Sequence, residues 1–283
     1  MKRTRLATLF AGLLVVLAGC TGGGLVSDGG ATDADGSASD GGAGDGGTGD
    51  GSAAEGGLDV TESERLLADA GSFTAEWSFA VTDSNGTESA VTSTYLVDLE
   101  KNRSAERFGA VGPDSRMDFE TFYADGTTYT RYGDGEEEFY QVVDGADDTF
   151  GSALARGSFG YESVEDAEFV GRETFDGVTV DRYEYTDPHL WRQYGASAFG
   201  GDENVTVTDF TVVVLVDEDG LARKTQWTLT GETDDGRPVS AAWHYALTGV
   251  GTTAVDDPEW LDAAISQQGE RDSARVELPA RAP

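Results

Sequence analysis

Phe73-Thr74-Ala75-Glu76-Trp77-Ser78-Phe79-Ala80-Val81 sets apolar side chains at every second position, with Thr, Glu and Ser between them. That period places the large residues on one face of an extended strand and the polar ones on the other. Val239, Ala241, Trp243, Tyr245 and Leu247 repeat the pattern, and Tyr95, Val97 and Leu99 give a shorter version of it. Asn85-Gly86, Asp125-Gly126, Asp176-Gly177, Asp219-Gly220 and Asp235-Gly236 separate the runs. Such pairs accept the positive φ of tight hairpin turns, and strands joined so closely must pair antiparallel. Val212–Val216 has no polar face, which predicts a central strand covered on both sides.

Around the sheet the sequence signals helices. Thr61-Glu62-Ser63-Glu64 fits a capping box before Leu66, Leu67 and Ala70. Asp187-Pro188 and Asp257-Pro258 each place an N-cap before a proline at the first helical position. Leu190, Trp191, Tyr194 and Ala198 then share one face, as do the pairs Trp260/Ala264 and Leu261/Ile265. A further helix is expected from Asp147 to Arg156 through Phe150 and Leu154. A long antiparallel sheet with short helices over one face is the α+β class.

The chain carries 53 Asp+Glu against 19 Lys+Arg, a formal net charge of −34. Lys2, Arg3 and Arg5 are the only charged residues before Cys20, so a chain starting there carries −37. Binding to nucleic acid or to anionic headgroups needs clustered Lys and Arg, which excludes a nucleic-acid function. Self-repulsion of this size needs salt to screen it, and molar salt shortens the screening length to about 3 Å. Lysine occurs only at positions 2, 101 and 224; an acidic, lysine-poor surface is the pattern of proteins from salt-loving archaea.

Residues 1–19 join a basic start to an apolar stretch too short for a membrane span, the form of a signal peptide. Leu17-Ala18-Gly19-Cys20 resembles the lipobox of prokaryotic lipoproteins, which implies cleavage after Gly19 and a lipid on Cys20. The expectation is an exported protein anchored to the outer face of the cell membrane, with the membrane as its partner through Cys20. Lys2-Arg3-Thr4-Arg5 is not a twin-arginine pair, so the export route stays open between Sec and Tat. Cys20 is the only cysteine, so no disulfide forms within one chain. From Thr21 to Gly57, 15 of 37 residues are glycine, with no aromatic, Lys or Arg. Such chain lacks the apolar surface to order itself and spans roughly 30–40 Å as a coil. Residues 20–57 therefore read as a lipidated, disordered tether, 58–266 as the folded domain and 267–283 as a flexible tail.

The helix followed by paired strands, with YADGTTYTRYGDGEEEFY (123–140), GRETFDGVTVDRYEY (171–185) and VLVDEDGLARKTQWTL (214–229), resembles the LolA/LppX-like lipoprotein superfamily. Haloarchaeal lipoproteins of the same layout are similar as well. The resemblance covers roughly residues 60–248 and implies a curved antiparallel β-sheet, an incomplete β-barrel, closed by short helices over an apolar cavity for lipid chains.

No nucleophile elbow, zinc-protease helix, Walker loop or dinucleotide fingerprint occurs, so no cofactor and no catalytic residue is assigned and the protein reads as a non-enzyme. His189 and His244 are the only histidines; His244 lies between Trp243 and Tyr245 and so faces away from them. Asp217, Asp219, Asp234 and Asp235 read as turn residues, and no metal site is assigned. Asn85, Asn102 and Asn204 open candidate N-glycosylation sequons. Trp77, Phe79, Trp191, Trp227, Trp243 and Tyr245 carry two readings: core between sheet and helices, or lining of a ligand cavity. The functional expectation is a lipid-anchored surface protein that binds or carries a hydrophobic ligand such as a lipid. The alternative is a structural or protein-interaction module of the cell envelope without a cavity.

Overall fold

The computed structural model describes residues 60–133, 138–145, 148–157, 167–186 and 205–276. Helix α1 (Val60–Ala70) ends at Gly71, whose φ of 75° turns the chain into β1 (Ser72–Thr82). Five strands follow: β2 (Glu88–Asp98), β3 (Arg103–Gly112), β4 (Ser115–Ala124), β5 (Thr127–Tyr132) and β6 (Phe139–Asp144). Helix α2 (Thr149–Gly157) leads to β7 (Glu168–Phe175), β8 (Val178–Thr186), β9 (Val205–Asp217), β10 (Ala222–Thr233) and β11 (Pro238–Thr248). Helix α3 (Leu261–Val276) comes last.

All eleven strands form one antiparallel sheet in the order β6-β5-β4-β3-β2-β1-β11-β10-β9-β8-β7. The chain walks outward from β1 to the β6 edge, then inward from the β7 edge to β11, which closes on β1. The class expected from the sequence, α+β with an open curved antiparallel sheet and short helices, is what the chain forms. Asp125-Gly126 (φ 53° and 79°) and Asp176-Gly177 (φ 48° and 78°) make the two-residue turns with both residues at positive φ that their sequence demands.

Register defines two faces. Face 1 carries the odd-numbered residues of β1: Trp77 lies opposite Tyr245, and Phe79 opposite Trp243. Face 2 carries Glu76, Ser78, His244 and Gln226 on the central strands. Helix α2 lies on face 1, where Phe150 meets Phe73 edge-on at 5.8 Å. The segment before α3 and α3 itself lie on face 2 of the β2–β6 wing, where Trp260 and Ala264 pack with Phe122 and Val255. The helices thus divide between the faces, because β2–β6 present apolar residues on both: Phe108 on one parity, Leu96, Ala105, Phe122 and Tyr129 on the other.

Several local expectations shift. Leu99 does not continue the alternation of β2; it lies past the strand end, its N–H bonded to the Gly71 carbonyl at 2.8 Å and its side chain exposed. Val212–Leu215 is buried on both faces as expected, Val213 and Leu215 packing with Val180 on face 2, yet β9 is third from an edge. The helix expected from Asp147 starts at Thr149. Ile265 is 49% exposed, so of the two expected pairs only Trp260/Ala264 is buried. Helix α3 runs to Val276, past the expected domain end at 266, since Ser266–Val276 holds no proline and only one glycine. The leader, Cys20, the tether and the helix expected after Asp187 lie outside the described residues.

Candidate functional site: two faces of one sheet

On face 1 the register brings five of the six sequence-selected aromatics together. Trp227 lies opposite Trp243 and Val212, and Phe79 meets Trp227 edge-on at 6.0 Å. Trp243 and Tyr245 stack with centroids 6.4 Å apart. Trp77, Trp227, Trp243 and Tyr245 are all buried, while Phe79 is half-buried. Trp191 lies outside the described residues. These rings are therefore packed core at the centre of the sheet. One polar atom stands out: among the described residues the buried Trp243 Nε1–H has no hydrogen-bond partner.

Arg156 from the last turn of α2 caps this core. Its guanidinium sits 4.6 Å over the Trp77 ring, and its Nε donates to the Tyr95 hydroxyl at 3.3 Å. Burial pushes the Tyr95 phenol above its usual range, helped by Glu106 and opposed by Arg156. Burial pushes Tyr245 up further. A Cβ on Gly157 would meet the Tyr245 ring at 2.7 Å, so this glycine is what lets the helix end approach the sheet.

From the core, face 1 extends along β3–β6 as a file of rings. Phe108 stacks on Phe119 at 4.7 Å, Phe119 approaches Tyr132 at 6.0 Å, and Tyr132 stacks on Phe139 at 4.8 Å. Exposure rises along it, from 6% at Phe108 to 52% at Phe139, with Met117 (44%) and Val143 (49%) beside it. Sequence reasoning missed this strip. Its signal was present in the alternation Met117-x-Phe119, Tyr132 and Phe139-x-x-x-Val143, but Phe122, Tyr129 and Tyr140 on the opposite parity concealed it.

Face 2 of the same wing holds a cavity of about 710 Å³ between β2–β6 and residues 254–263. Its walls are polar. Glu120 accepts the Trp260 Nε1–H at 2.7 Å and pairs with Arg131 at 3.0 Å. Glu138 accepts the Tyr140 hydroxyl at 2.7 Å and pairs with Arg131 at 3.7 Å. Arg103 bonds Asp257 and lies 5.0 Å over the Phe122 ring. Among the described residues the Arg131 Nε is buried without a partner, so the wall holds a donor suited to water rather than to a hydrocarbon. None of Trp77, Phe79, Trp227, Trp243 or Tyr245 lines this space.

The remaining predicted residues sort simply. His244 lies on face 2 beside Gln226 and Ser78; burial and Lys224 hold its imidazolium below the usual range, against Glu76. His189 and Asn204 lie outside the described residues. Asp217 Oδ1 accepts the N–H of Asp219 and of Leu221, and its Oδ2 pairs with Arg223 at 2.6 Å. Asp235 bonds Thr233 and Arg237 across its hairpin. Asp217 and Asp235 thus do turn work, as their sequence context indicated. Asn85 and Asn102 occupy exposed turns, Asn102 at φ 51°. The Asn85 Oδ1 accepts from Arg237 at 3.0 Å.

Fold and site together define an open antiparallel sheet whose aromatic core emerges at the surface along one wing. The chain belongs to the family described as "Family of unknown function (DUF7537)", which matches residues 5–264. No curated protein matches it. Among solved structures it is similar to MucB, crystallised in complex with MucA(peri), at 17% identity and TM-score 0.24, over 71% of this chain and 58% of that one. The chain thus spans less than two thirds of that protein's length. It is also similar to the LolA superfamily protein NE2245 from Nitrosomonas europaea (11% identity, TM-score 0.23, 71% of this chain and 94% of that one). A third is the ywiB protein of Bacillus subtilis (9% identity, TM-score 0.16, 62% and 90%). At these values the functional case rests on this chain's own residues.

Proposed function

We propose that this is a non-enzymatic surface protein, held at the outer face of the membrane by a lipid on Cys20, that binds a hydrophobic ligand on face 1. The observation that carries the reading is the strip Phe108–Phe119–Tyr132–Phe139, which leads apolar surface out of a buried core to an exposed end. A solvated sheet face ordinarily carries polar residues, and contiguous exposed apolar surface marks a binding site. The ligand chemistry is an acyl or isoprenoid chain laid across the rings, released without any covalent step. Protein purified in high salt is extracted with organic solvent and the extract analysed by mass spectrometry. A lipid beyond the Cys20 anchor, reduced in amount by Met117→Asp or Phe139→Asp, is the expected result. An extract without such a lipid refutes the carrier. For the anchor, Cys20→Ser is expected to release the protein into the medium; retention at the membrane contradicts it.

A second reading, an interaction module of the cell envelope, is favoured by one observation. The strip is an open surface and ends at an edge strand, where a protein segment can lie as well as a lipid. Removal of the strip's ligand-binding without loss of cell-surface function would select it.

A further inference from the structure

The two edges of the sheet are built differently. β7 is guarded: Glu168, Arg172 and Glu173 line it, a register shift interrupts it between Phe169 and Gly171, and Gly171 sits at φ 147°. Charges and bulges of this kind keep edge strands from pairing with other chains. β6 has no bulge and no glycine, and its one charged residue, Asp144, stands at its last position. Phe139-Tyr140-Gln141-Val142-Val143-Asp144 contains no Pro, Gly or Lys, and it pairs with β5 without a register shift from Tyr132↔Phe139 to Thr127↔Asp144. Phe139 and Val143 are 52% and 49% exposed on the same face.

We propose that β6 is the seam of a symmetric homodimer, two copies pairing antiparallel through this strand about a two-fold axis at Gln141. A two-fold perpendicular to the sheet keeps face 1 on one side. It therefore requires residues of like parity to stand opposite each other. Centred on Gln141, that register sets Phe139 opposite Val143 of the second copy, twice, and Gln141 opposite itself. The two exposed apolar residues of the strand thus cover one another, whereas a two-fold centred on Tyr140 or on Val142 would set Phe139 opposite Gln141 or Gly145 instead. The aromatic strips of the two copies become one continuous file across the seam. At the ends Glu138 stands opposite Asp144, like charges that disfavour pairing unless salt screens them, so the dimer belongs to high salt. A second copy suits this edge because it supplies its own complement. The short seam makes a weak association, strengthened when both copies share one membrane. This inference stands apart from the ligand reading: the strip can bind a lipid in a monomer.

The test uses the full chain carrying Cys20→Ser in molar KCl. Sedimentation shows a monomer–dimer equilibrium that moves toward monomer, several-fold in dissociation constant, as KCl is lowered. Val143→Lys abolishes the dimer and leaves thermal unfolding unchanged. Under mild oxidation Gln141→Cys, then the only cysteine, forms a disulfide-linked dimer. Phe139→Cys alone does not, but a mixture of Phe139→Cys and Val143→Cys chains does. A monomer at every KCl concentration, or cross-linking by Phe139→Cys alone as strong as by Gln141→Cys, overturns the proposal. Loss of bound lipid with the dimer intact touches only the carrier reading.

Discussion

Face 1 and face 2 of this sheet each hold a helix, and they hold it by different chemistry. On face 1, α2 closes a buried aromatic core through Phe150 against Phe73 and Arg156 over Trp77. On face 2, the chain entering α3 is fastened by Trp260 to Glu120 and Arg103 to Asp257 around a polar cavity. Burial of rings is indifferent to ionic strength or gains from it, whereas partly exposed ion pairs weaken as salt screens them. In high salt, a chain of net charge −34 is thus expected to take its stability from face 1 and its α3 orientation from face 2.

The largest effect expected is that of Trp227→Ala, since Trp227 is 2% exposed beneath Phe79 and Phe210. Denaturant unfolding in high KCl should show a loss of about 3–5 kcal/mol. A loss below about 1 kcal/mol would move the core away from face 1. Next comes Glu120→Gln, which removes the charge shared by Trp260 Nε1 and Arg131. It should cost about 1–2 kcal/mol and more in low salt than in high. A cost that grows with salt breaks the contrast between the faces. Arg156→Met keeps the stem over Trp77 but loses the cation and its bond to Tyr95. About 1 kcal/mol is expected, with little salt dependence.

The smallest effect is a titration on the central part of face 2. The His244 imidazolium is disfavoured by burial and by Lys224. A folded value below the unfolded one means stability is fully present above about pH 6.5 and declines as pH falls through the folded value. The His244 midpoint, followed by NMR, should lie below that of a free histidine and rise in Lys224→Gln. A midpoint at or above the free value would mean that Glu76 outweighs both causes.

The sheet was legible because alternation in β1 and β11 concerns strands with one apolar face; Phe73–Val81 and Val239–Leu247 read directly as half-buried strands. The hairpins at Asp125-Gly126 and Asp176-Gly177 were legible because such pairs state their backbone angles, whereas at Asn85-Gly86, Asp219-Gly220 and Asp235-Gly236 only the glycine takes a positive φ, within a longer turn. What escaped is what depends on partners distant in sequence. Trp260 and Glu120 are 140 positions apart, and Arg156 reaches Tyr95 across 61. No period within either segment announces such a pair. The strip on β3–β6 escaped for another reason: both parities there are apolar, since α3 covers one of them, and a strand apolar on both sides has no alternation to read.

The measurement that tests the central claim most directly is an NMR study of the protein in high KCl with a ¹³C-labelled fatty acid. The account predicts intermolecular NOEs from the chain's methylenes to Met117, Phe119 and Phe139. NOEs confined to the face 2 cavity around Trp260, or none at any ligand concentration, would contradict it.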